Sequence, residues 1–272
     1  MLANGTELLM ALLYSMILTT LQLASFLGIF FIVGFLIAKM ERRRNQWIQS
    51  AVGRKGIYLT ALIGVPIHEI GHAIVCLLFG HRIEEIKFVQ FGEADGTMGY
   101  VNHSFEPRNL FHRVGLFFIG IAPMIMGVVT ISLALLFMLP EVFSEWWTGI
   151  TTAETAGNAA ISTLSLVPGI FAWENFQNVW FYVFIVFAVS VASHMTLSPS
   201  DIEGAKSGLF TLYFVLIVVN LFNVQTMERI DVQGLFLNQY NLFVFSVSFI
   251  VILFAGFATG VGYLLHRFTQ TR

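Results

Sequence analysis

Residues 57–80 form an almost unbroken apolar run whose only strongly polar side chains are His68, Glu69 and His72. A run of that length spans a bilayer as a helix. An ionisable group at that depth costs roughly 2.5 kcal/mol or more and is functional by default. A chain that keeps three of them within five positions must bury them in protein and give them partners. They spell His68-Glu69-Ile70-Gly71-His72. The helical repeat of about 3.6 residues stacks the two imidazoles on one face, one turn apart, close enough to share a metal ion. Glu69, beside the first histidine, is placed to take a proton from a water that the metal polarises.

The rest of the composition agrees with a membrane setting. The chain is 57% hydrophobic and 11% charged, with 28 Phe, whereas a soluble domain carries about a quarter charged residues. The expected fold class is an α-helical polytopic membrane protein. A net charge of −2 leaves no basic face for nucleic acid. Cys76 is the only cysteine, which excludes an intrachain disulfide and a Cys-rich zinc module. It follows His72 by four residues but lies a turn too far along to complete the same site, so it reads as a small helix-packing residue. The first basic residue is Lys39, so the apolar N-terminal stretch reads as a span and not as a cleaved signal.

Apolar runs predict about six transmembrane helices, near 9–38, 57–80, 111–139, 176–195, 206–224 and 240–265. Residues 1–56 are then an N-terminal span and a basic interfacial segment around Trp47. Residues 57–205 are a central core, and 206–272 supply two C-terminal spans. Within the core, 82–106 is β-rich and predicts a hairpin or small sheet, with Asp95-Gly96 near its tip. The stretch 140–170 reads as an extramembrane loop with an interfacial piece, and Gly256 with Gly260 as a small-residue packing pair. Six spans put both termini on one side, and the 14 Lys and Arg divide equally between the two sides, so the positive-inside rule is tied.

A tetrahedral catalytic zinc needs a third protein ligand and leaves its fourth position to water. Asp occurs at 95, 201 and 231 only. Asp201 follows Ser198-Pro199-Ser200, where the proline breaks a helix and frees backbone groups at membrane depth. Such backbone is tolerated where it is buried in protein or lines a wet cavity. Asp201 is therefore the predicted third ligand, with His194 as an alternative ligand or proton relay. Glu203 reads as a solvated charge, and His103 and His112 as interfacial. Gly64 and Pro66 are placed to bend the helix before His68 and admit water.

The His-Glu-x-x-His motif within a span, the β-rich segment after it and the Pro199-Ser200-Asp201 element resemble the site-2 protease family of intramembrane zinc metalloproteases. The similarity covers roughly residues 57–205. The first motif matches at His68, Glu69 and His72. The second departs from the family pattern, which has Asn before the proline and Gly after the Asp, where this chain has Ser198 and Ile202; that makes it a divergent member. The resemblance implies one Zn2+ per chain, a three-helix core, Glu69 as catalytic base, and hydrolysis of peptide bonds in transmembrane segments of protein substrates. It implies a multi-pass protein of a prokaryotic plasma membrane, with the hairpin and both termini on the cytosolic side. A substrate helix must unwind locally, and an edge strand of the hairpin, with Gly99, Tyr100 and Val101, would hold it by strand addition.

Two other classes remain open at this stage. A catalytically silent module that binds transmembrane helices has no need of Glu69. A zinc transporter would pair the motif with a second metal-bearing span, and here other helices offer His194 and Asp201 alone. Intramembrane serine and aspartyl proteases lack support, since there is no Gly-x-Gly-Asp element and no Asp pair in two spans.

Overall fold

The computed structural model describes residues 5–92, 96–153, 156–223, 231–236 and 238–270; Asp95, expected near the hairpin tip, lies outside them. The chain runs α1 (Gly5–Val52), α2 (Arg54–Leu78), β1 (Arg82–Lys87), β2 (Tyr100–Ser104), α3 (Leu110–Met138), α4 (Pro140–Thr151), α5 (Ala156–Ile170), α6 (Val179–Ala192), α7 (Pro199–Asn223), α8 (Val232–Phe236) and α9 (Gln239–Gln270). Among the described residues, five helices are long and apolar enough to cross a membrane: α1, α2, α3, α7 and α9. Their outer faces carry bare large side chains, Leu59, Phe137 and Phe222 among them, each at least 74% exposed. No water-facing surface keeps so much apolar area. The protein is a helical multi-pass membrane protein with one small antiparallel sheet, the fold class expected.

The main core gathers side chains from α1, α3, α4, α5, α6 and α9, including Ile37, Ile131, Leu135, Trp146, Phe184 and Phe254. One expectation changes here. The stretch 140–170 is not a loop. It forms α4 and α5, packed on one another with Ser162 against Gly149. Trp146 is 2% exposed and meets Phe243 of α9. The basic segment 39–55 is helical: residues 39–52 continue α1, and Arg54 and Lys55 open α2. Arg44 is buried there because its guanidinium donates to Ser193 O at 3.0 Å and to Asn45 Oδ1 at 3.0 Å.

The termini also sit differently from the six-span expectation. Phe26 stacks on Tyr240 at 4.9 Å, Trp47 meets Tyr263 at 5.2 Å, and Ser50 Oγ lies 2.6 Å from His266 Nδ1. Residue numbers rise together along α1 and α9, so the two helices are parallel, and Gly5 and Gln270 lie at opposite ends of the bundle. The missing crossing is α6. Its 14 residues reach only about 21 Å, short of a hydrocarbon core of about 30 Å.

Gly80, at φ 71°, turns the chain back at the end of α2. The sheet pairs Lys87 with Tyr100, Ile86 with Val101 and Arg82 with Ser104, with an irregularity between Ile83 and Glu85. Its ladder sits closer to α2 than the predicted runs 86–91 and 97–101; beyond Lys87, Gln90 N–H still donates to Met98 O at 2.8 Å. The hairpin runs back along α2: His103 is level with His81, Gly99 with Glu69, and the Phe91 ring is tilted against Tyr58 at 4.4 Å.

Candidate metal centre

Helix α2 presents His68 and His72 to the interior, their ring centroids 5.0 Å apart and their Nε2 atoms 3.2 Å apart. Each imidazole is fixed from behind. His68 Nδ1 lies 2.8 Å from the carbonyl of His194, and His72 Nδ1 2.8 Å from the carbonyl of Ile119. A carbonyl only accepts, so each Nδ1 donates, and in the neutral ring Nε2 is left with a bare lone pair. Outer partners of this kind orient histidines that ligate metals.

Asp201 faces both rings from the first turn of α7. Its Oδ1 is 3.2 Å from His72 Nε2 and its Oδ2 is 3.7 Å from His68 Nε2. Ser198 holds it there: the Ser198 N–H donates to Asp201 Oδ2 at 2.7 Å, and the Asp201 N–H donates to Ser198 Oγ at 3.1 Å. This is the reciprocal capping arrangement of a helix start, with Pro199 in the first helical position where its missing N–H costs nothing. The helix N-terminus also favours the carboxylate. Gly120 of α3 lets α7 approach, since a Cβ there would collide with Asp201 O and Ala205.

These three groups form a set that can hold a metal ion, all ligand atoms within 4.8 Å. A tetrahedral site with bonds of about 2.0–2.1 Å spaces its ligand atoms roughly 3.3 Å apart, close to the separations here. With both rings neutral, two imidazole lone pairs and a carboxylate converge here and repel one another, and a cation would relieve that. The donor set therefore fits a divalent ion.

Glu69 is 5% exposed and borders a cavity of about 390 Å³ that His68, His72 and Asp201 also line. The opposite wall is residues 99–103 in unbroken succession. Side chains of a strand alternate between faces, so a wall of consecutive residues is the strand's edge. β1 pairs with the other edge of β2, and among the described residues no strand pairs with this one. Tyr100 and Val101 thus lie on this unpaired edge. Gly99 has a different part from a turn glycine. A Cβ on it would come within 2.7 Å of Val65 Cγ1 and 2.9 Å of Glu69 Oε1, so its bareness lets the hairpin lie against Glu69.

The structure does not bring the His194 ring to the ligand set. Its Nε2 faces Thr60 Oγ1 at 3.1 Å, and only its carbonyl reaches His68. Gly64 is a contact glycine, its missing Cβ making room for Ser190 O and His194, within an α2 that stays helical through Pro66. Sequence reasoning passed over Glu41 and Arg44. Glu41 accepts from Thr196 Oγ1, and with Arg44 on Ser193 O it ties α1 to the segment that fixes His68. It also passed over His81, which joins Cys76 and His103 in a second group able to hold a metal. No protein-family model, curated protein or solved structure matches the chain.

Proposed function

We propose that this protein is an intramembrane zinc metalloendopeptidase of the site-2 protease type, hydrolysing peptide bonds in or near transmembrane segments of membrane-protein substrates. The observation that carries the reading is the convergence of His68 Nε2, His72 Nε2 and the Asp201 carboxylate beside the buried Glu69, in a cavity walled by a strand edge.

His68, His72 and Asp201 would hold the zinc. When bound, the ion supplies Lewis acidity and makes a water molecule acidic near neutral pH. Glu69 accepts the proton of the attacking water on a carboxylate oxygen and returns it to the leaving nitrogen. The carbonyls of His194 and Ile119 keep both imidazoles in the ligating tautomer. The free edge of β2 aligns an unwound substrate segment through main-chain hydrogen bonds, leaving its backbone satisfied in lipid. The polar groups are enclosed by α2, α3, α7 and the hairpin, so the bilayer never meets them.

The test is Glu69→Gln, which keeps the shape and removes the base. In vesicles holding a panel of single-span model substrates, zinc-loaded wild type cleaves at least one and the variant cleaves none, while both retain equal zinc. Cleavage by the variant would remove Glu69 from the chemistry, and failure of wild type on every substrate would contradict the protease reading.

A further inference from the structure

We propose that Cys76, His81 and His103 form a second metal site, taking a borderline-soft divalent ion of the zinc class, that clips the hairpin to the catalytic helix. The three ligand atoms lie within 4.8 Å of one another and come from α2, the turn after it and β2. Cys76 is fully buried and His81 is 3% exposed.

The arrangement of the histidines points to a ligand. His81 Nε2 is 2.9 Å from the carbonyl of His112, so it donates there and leaves Nδ1 bare. That bare Nδ1 faces His103 Nδ1 at 3.0 Å. The same orientation by a backbone carbonyl holds His68 and His72 in the first group. Cys76 is one helical turn beyond His72, about 6 Å along the axis, which is why it serves a different group from the one it follows in sequence. A thiolate with two imidazoles selects zinc-like ions over hard oxygen-seeking ones. Binding replaces the thiol proton by the metal, and the proton leaves to solvent. A fourth position is left for water from the cavity that His103 lines.

The consequence is mechanical. β2 borders the first metal centre by its edge; Gly99, just before it, lies against Glu69, and His103 within it reaches this cluster. An ion here fixes the position of that edge. The second site stands apart from the hydrolytic reading, and either can fail alone.

Cobalt decides it, because a thiolate bound to Co2+ gives a near-ultraviolet charge-transfer absorption and Cys76 is the only cysteine of the chain. Detergent-solubilised full-length protein, stripped and titrated with Co2+, should bind two ions per chain and show that absorption. His68→Ala should lose one ion and keep the absorption; Cys76→Ser should lose one ion and the absorption together. His81→Ala and His103→Ala should each weaken the thiolate-linked ion by more than about tenfold. Absence of the absorption from wild type at saturating Co2+ would overturn the site and leave a plain imidazole–imidazole hydrogen bond, an outcome that needs no variant to fold. An absorption insensitive to His81 and His103 would overturn the ligand set.

Discussion

Ser198 and Asp201 cap each other at the start of α7, and the carboxylate so held lies 3.2 Å from His72 Nε2. Local helix chemistry and the metal centre are thus one structure. Ser198→Ala removes the hydroxyl that accepts the Asp201 N–H, worth about 1 kcal/mol, and loosens the first turn of α7 while the main-chain N–H of residue 198 still donates to Asp201 Oδ2. We expect zinc affinity at the first centre to fall about fivefold, the equivalent of that free energy, measured by competition with a chromogenic chelator. Ser198→Asn, an equally good cap, should keep wild-type affinity. Equal affinity of the alanine variant would mean that Asp201 is placed by packing alone.

The bareness of Gly99 gives a second prediction. In Gly99→Ala the new methyl falls 2.9 Å from Glu69 Oε1 and 2.7 Å from Val65 Cγ1, so the base or the strand must move. Displacement of a catalytic group by about an ångström costs around a hundredfold in rate. Cleavage should drop by that order with zinc retained. A variant that cleaves normally would show that Glu69 and the hairpin are not in working contact.

Strand addition predicts a contrast at Tyr100. Proline there removes a backbone donor from β2 and bends it, so Tyr100→Pro should strongly impair cleavage of a single-span substrate. Tyr100→Phe loses only the hydroxyl bond to Glu85 Oε1 at 2.7 Å, about 1 kcal/mol at most on an exposed surface, and should cleave nearly as wild type. Zinc content should match in both. Normal cleavage by the proline variant would reduce the hairpin to packing or a lid.

The grouping of His68, His72 and Asp201, a set able to hold a metal ion, was legible in sequence because it rests on local rules. His68 and His72 share a face by helical periodicity alone, and Asp201 stood out as a scarce carboxylate at a proline break. Ser198 could have been recognised too, since Ser-x-x-Asp before a helix is a capping pattern. What holds the rings was not legible, because the carbonyls of His194 and Ile119 are backbone groups that any residue would supply. Arg44 looked like a headgroup cation because its partner, Ser193 O, is 149 residues away. The stretch 140–170 looked like a loop because α4 and α5, with 12 and 15 residues, are too short to register as spans. The burial of Trp146 depends on α9, nearly a hundred residues on. His81 went unnoticed since its meaning comes from Gly80 turning the chain toward β2.

Whether His68, His72 and Asp201 hold a zinc ion is read by elemental analysis in a Cys76→Ser background, where the second cluster has lost its thiolate. About one zinc per chain is expected in Cys76→Ser and almost none after His68→Ala and His72→Ala are added, with binding much weakened by the Asp201→Ala addition. Absence of zinc from Cys76→Ser, or full occupancy without the two histidines, would contradict that ligand set.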